Sequence, residues 1–207
     1  IAAEFDVDMN FNEREISTML VEYEKDYRTG MDIQAISQEI YDFTSGYPFL
    51  VSRLCKIIDE KLDKDWTLKG VEEAVKLILE ENNTLFDDLI KNLENNQELY
   101  DLIKKITLMD EYIPYSKTDP IINLSEVFGI VKEKNRQVVI HNLIFSQLIY
   151  NHMVVAKIRK GEYSSNLNLT YIQNDKLNME LVLNKFQDLM CAEYREKDAK
   201  FIEREGR

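Results

Sequence analysis

Two sets of residues in this chain have types and spacings suited to holding an anion. The first is Gly46-Tyr47-Pro48 with Arg53, in the stretch TSGYPFLVSRLC. Gly46 suits the left-handed position just past a helix, and Pro48 suits the first position of the next, where its missing N–H costs nothing. Arg53 then falls about one and a half turns into that helix. A cation in the early turns opposes the helix dipole by about 0.3–1 kcal/mol unless an anion offsets it. Glu60, on the same stripe, is too distant to compensate easily. A phosphate would compensate, because arginine and a helix N-terminus both favour anions. The plainer reading, a corner between two helices, stays open beside this one. The second set is Lys132, Lys134 and Arg136, close to the tip of a segment that alternates apolar and polar residues. Such side chains could contact the phosphates of a nucleic acid. Glu133 interrupts them, and PIINLSEVFG just before offers no basic or amide-rich face to base edges. A hairpin that packs against protein is the alternative.

Other chemistry finds little support. No G-x-x-x-x-G-K-[ST] loop and no G-x-G-x-x-G turn occurs, so neither of those phosphate cradles lies in the chain. His141 and His152 lack H-E-x-x-H context and read as structural, not as metal ligands. The acidic run Asp59, Glu60, Asp63 and Asp65 lacks the central glycine and final glutamate of a calcium loop, and reads as a solvated face. Cys55 and Cys191 are too far apart for a metal or redox motif, and Cys55 falls on an apolar helix face. No acid, base or nucleophile set follows from spacing, so no catalytic residue and no metal ligand is assigned.

The elements that must position these residues are mostly helices. Asn12 with Glu15 three residues later forms a capping-box pattern ahead of the stripe Ile16, Met19, Leu20 and Tyr23. Thr29-Gly30 ends that helix. Asp32 caps the next, which turns Ile33, Ile36, Ile40 and Phe43 inward. The helix opened by Pro48 buries Leu50, Leu54, Ile57, Ile58 and Leu62. Thr67 caps a fourth, and NTLFDDLIKNL and QELYDLIKKITLM give two more. The pattern changes near residue 110. A short extended piece with two prolines leads to a short helix ended by Gly129, and IVKEK-NR-QVVI reads as a hairpin around Asn135. NLIFSQLIYNHMVVAKI resumes a helix. Strand, helix, hairpin and helix after a helical prelude is a winged-helix-like order. The expected fold class is therefore mainly α with a small β-hairpin. The expected division is a helical domain at 1–111, a winged-helix-like module at 112–160, a polar linker at 161–176 and a C-terminal helical segment at 177–207.

Composition narrows the setting. The chain has 207 residues, a 31% charged fraction and a net charge of −12. Residues 1–111 carry 12 basic against 26 acidic groups, and residues 112–160 carry 7 against 3. The first part repels nucleic acid, while the second tolerates it. No apolar run approaches the roughly 20 residues of a membrane span, and no signal-peptide pattern opens the chain. A cytoplasmic location without membrane contact is expected. The chain starts without methionine and stops inside a helical pattern, so it reads as a piece of a longer protein.

The stretch FNEREISTMLVEYEKDYRTGMDIQAISQEIYDFTSGYPFLVSRLCKIIDEKL resembles the helical lid that follows the core of bacterial AAA-like ATPases related to the STAND class. FGIVKEKNRQVVIHNLIF resembles the winged-helix module after that lid. FIEREGR resembles the lead-in to a C-terminal PD-(D/E)XK nuclease-like domain in the same proteins. The resemblance implies that Gly46, Pro48 and Arg53 contact a bound nucleotide, with Gly46 and Pro48 matching a G-x-P motif and Arg53 a sensor-like arginine. It implies ATP with Mg as the cofactor of an intact parent, none being held by this chain alone. It also implies an ATPase core and a nuclease-like domain of the same protein as partners. On this expectation the chain is itself non-catalytic, and couples nucleotide state to the wing and the nuclease-like domain. A nucleic-acid-binding wing and a helical protein-interaction scaffold are the alternatives.

Overall fold

The computed structural model describes residues 9–109, 111–159, 172–173, 176–177, 179 and 183. Its described part is mainly helical, with a small antiparallel hairpin. The helices are α1 (Glu13–Tyr27), α2 (Ile33–Thr44), α3 (Pro48–Lys61), α4 (Leu68–Glu80), α5 (Thr84–Asn95), α6 (Gln97–Met109), α7 (Pro120–Val127) and α8 (Leu143–Arg159). The hairpin joins β1 (Val131–Lys134) to β2 (Gln137–Ile140).

Local rules account for most helix starts. Asn12 accepts the Glu15 N–H while the Glu15 carboxylate accepts the Asn12 N–H, a complete capping box. Asp32, Thr67 and Asn83 each accept a backbone N–H two or three residues into the next helix. The α1 C-terminus closes differently from a simple glycine stop. Arg28 takes the left-handed conformation, and the Glu24 carboxylate then gathers the backbone N–H groups of Thr29 and Gly30 and the Thr29 hydroxyl. Gly70 has a reason that helix propensity misses. A Cβ there would lie 1.8 Å from the Asp65 carbonyl oxygen, so a close backbone crossing offsets the weak helix propensity of glycine.

α1 packs on α2, α3 on α4, and α2 against both α3 and α4. α6 reaches α5 on one side and α7 and β2 on the other. Ile16, Ile40, Leu54, Ile58 and Ile78 fill the first part of the core, and Leu99, Ile103, Ile130, Val138 and Phe145 continue it. Chain contacts divide the molecule after Met153, inside α8, into Ile1–Met153 and Val154–Arg207. The boundary expected near residue 111 therefore falls within the first unit. The reason is α6, whose fully buried Leu99 and Ile103 belong to the same core as the hairpin residues.

The hairpin turns through Asn135 and Arg136, both at positive φ (54° and 64°), as a two-residue turn with matching twist demands. The proline-containing piece runs along β2. Tyr115 N–H donates to the Arg136 carbonyl and Val138 N–H to the Ile113 carbonyl. A single eight-residue helix, α7, lies between that piece and the hairpin. Asn142 caps α8 by accepting the Phe145 N–H at 2.8 Å.

In the second unit, β3 (Ile172–Gln173) pairs with β4 (Lys176–Leu177). A linker was expected over most of this stretch. Of the expected C-terminal helix, Met179 and Leu183 are described, and both are helical. Residues 161–171, and 177–207 apart from Leu177, Met179 and Leu183, lie outside the described residues.

Candidate functional site: the corner, the hairpin and the cleft they share

Gly46 stands at the α2–α3 corner with Ser45, both left-handed (φ 73° and 47°). Thr44 supports the turn. Its hydroxyl donates to the Ile40 carbonyl and accepts the Gly46 N–H. A Cβ on Gly46 would lie 1.7 Å from the carbonyl oxygen of Phe11, and the Phe11 N–H donates to the Gly46 carbonyl at 2.8 Å. The close approach that a glycine permits is thus occupied by the chain's own backbone. Pro48 takes the first helical position with Tyr47 as N-cap. The Tyr47 ring lies edge-on to His141 at 5.7 Å and to Phe145 at 5.4 Å. The corner therefore joins three segments: the residues just before α1, the α2–α3 pair, and the hairpin with the start of α8.

Arg53 points elsewhere. Its Nε and one terminal nitrogen both donate to the Glu81 carboxylate, at 2.8 and 2.6 Å, and Lys61 adds a bond of 2.6 Å to the same carboxylate. Glu81 follows α4, so this two-pronged pair fastens α3 to the end of α4. The Arg53 hydrogen bond, helped by Lys61 and opposed by partial burial, holds the Glu81 carboxyl down to about 2. The anion that Arg53 lacks among its helix neighbours is thus supplied from 28 residues away. No sequence rule at helical spacing could have found it.

The hairpin lysines meet the corner instead. On β1 side chains alternate, so Lys132 and Lys134 share one face. Lys132 Nζ donates to Ser45 Oγ at 2.8 Å, across 87 residues of sequence. A cleft of 490 Å³ opens here, lined by Lys132, Lys134, Ser45, His141, Asn10 and Asn12. Asp42 and Glu133 also line it, each already hydrogen-bonded, Asp42 by the Gln38 amide and Glu133 by the Arg136 N–H. Side-chain amides of Asn10 and Asn142 lie within 3.5 Å of the two ring nitrogens of His141. Gly46, Pro48, Arg53 and Arg136 do not line the cleft. Its chemistry is that of a binding site. Two ammonium groups and the side-chain amides of Asn10 and Asn12 offer donors to an oxyanion, and two carboxylates limit the total charge.

Among the described residues, no group of three or more His, Cys, Asp or Glu side chains is gathered to hold a metal ion. No helix among them is long and apolar enough to cross a membrane. The hairpin carries Lys134 and Arg136 exposed, while α7 bears no basic side chain. No family model, no curated protein and no solved structure matches the chain.

Proposed function

We propose that this chain is the non-catalytic lid and wing of an AAA-like ATPase. In this reading, the cleft between the Gly46 corner and the hairpin meets the phosphates of ATP, with Mg, bound by an ATPase core elsewhere in the protein. The observation that carries the reading is the tie between the two regions: Ser45, the neighbour of Gly46, and two of the three hairpin cations line one cleft, although Gly46, Pro48 and Arg53 themselves do not. The residue beside Gly46 is hydrogen-bonded to Lys132, and Lys134 lines the same space. The phosphate-facing cations are then Lys132 and Lys134. Arg53 serves the fold, because Glu81 already takes its donors.

Coupling follows from the tie itself. An incoming phosphate competes with Ser45 for Lys132, since an ammonium prefers an anion to a neutral hydroxyl. Exchange removes the Lys132–Ser45 bond between the hairpin and the end of α2, and that change passes nucleotide state to whatever the wing contacts, such as a nuclease-like domain. The test uses the intact protein. Lys132→Ala with Lys134→Ala should weaken ATP binding about tenfold or more, the scale of one or two charged hydrogen bonds. Arg53→Ala should leave ATP affinity unchanged and lower the thermal midpoint. Unaltered ATP affinity in the double lysine variant would overturn the reading.

A further inference from the structure

A second surface, on the α1–α3 face, has different chemistry. A pocket of 270 Å³ opens there, walled by Met19, Tyr23, Cys55 and Trp66, with Lys56 and Asp59 beside them. Ile16 and Leu20 of α1 are buried, yet Met19 between them is 41% exposed. The Tyr23 ring packs on Trp66 at 4.9 Å, and its hydroxyl donates to Asp59. The wall is therefore built and held, and its apolar side faces outward without cover from the described residues.

Charge around the groove has one dominant sign. Glu15 lies four residues before Met19, Glu22 three after it, and Asp26 three after Tyr23, all neighbours on that side of α1. Asp59 joins them from α3 and lines the pocket. Lys25 pairs with Glu22, Lys64 with Asp59 and Lys56 with Glu60. Among the described residues, Glu15 and Asp26 form no ion pair. An apolar groove inside an acidic rim fits a segment whose apolar anchors are flanked by lysines or arginines, the pattern of helix-in-groove recognition. The same rim repels an anionic lipid surface or a nucleic acid.

We propose that this groove docks a basic amphipathic helix of a partner protein, its apolar anchor seated between Met19 and Trp66. The inference does not rest on the ATPase reading, because the groove shares no lining residue with the hairpin cleft.

Trp66 is the sole tryptophan of the chain, so its emission reports occupancy directly. The chain is titrated with a synthetic amphipathic peptide of leucine and lysine at helical spacing. Trp66 is already buried, at 5% exposure, so its emission should change in intensity and saturate, and the affinity should fall severalfold between about 50 mM and about 500 mM salt. Met19→Asp, at an exposed position, should weaken binding about tenfold or more while helicity and the thermal midpoint are kept. Glu22→Lys with Asp26→Lys should do the same through charge alone, which guards against a misfolded first variant. No saturable change in emission would overturn the proposal. So would equal binding of a leucine–glutamate peptide, or a change with protein concentration alone, which would mark a second copy as the occupant.

Discussion

Replacing Gly46 by alanine would set a methyl group 1.7 Å from the Phe11 carbonyl oxygen, at a φ of 73°. Backbone against backbone has no soft side chain to move aside. The left-handed conformation alone costs an L-residue about 1–2 kcal/mol. With the collision added, Gly46→Ala should destabilise the chain by about 3 kcal/mol or more in urea unfolding. Gly30 is the internal control. Its φ is similarly positive, 76°, but nothing lies within 4 Å of an added Cβ. Gly30→Ala should cost only about 1 kcal/mol, and equal losses at the two positions would refute the close-approach account. Cys55 is a further residue-scale case. Burial pushes its thiol up to about 12, so it stays protonated at neutral pH. Alkylation of Cys55 at pH 8 should be slow in the folded chain and speed up on unfolding, as read by mass spectrometry of the peptide containing it.

At the scale of elements, the α3–α4 joint has a defined pH dependence. Glu81 titrates at about 2 in the folded chain against an ordinary value of 4.5. A lowered folded pKa means that the carboxylate's stabilisation is complete above about 4.5 and is lost as pH falls from there towards about 2. The pair is partly open to solvent, with the Arg53 side chain 29% exposed. Screening therefore leaves about 1–2 kcal/mol across that window. Glu81→Gln should flatten the acid limb of a stability-against-pH curve measured between pH 5 and pH 2. An unchanged acid limb would show that the joint contributes nothing. The helices themselves were legible from the sequence, through Asn12, Asp32, Pro48 and Thr67 as start signals. Their fastening was not, because Arg53 and Glu81 are 28 residues apart and helical spacing speaks only for neighbours within about one turn.

At the scale of the molecule, the expected break near residue 111 is the point at issue. Leu99 and Ile103 on α6 are fully buried, and α6 packs against α7 and β2 as well as α5. Ending the chain at residue 111 would strip that cover from α6. A chain ending at residue 111 should lose the cooperative calorimetric transition that a chain ending at residue 159 keeps. Equal melting of the two would restore a boundary at 111. Composition pointed to the break, since acidic charge gives way to basic charge there. Surface charge reports what a segment repels, however, and not where its core stops.

The sequence by itself determined the helices, their caps, the Asn135–Arg136 turn and the mainly α class, because each depends on residues within a turn or two of one another. It also picked out Gly46, Pro48, Arg53 and the lysines of β1 as residues needing a reason. Only the tertiary structure decided what the reasons are. Phe11 fills the space that Gly46 leaves, Glu81 supplies the anion for Arg53, and Ser45 brings Lys132 to the corner. Each of these partners comes from far along the chain. Shared burial and matched charge bring them together, and neither can be read until the helices have packed.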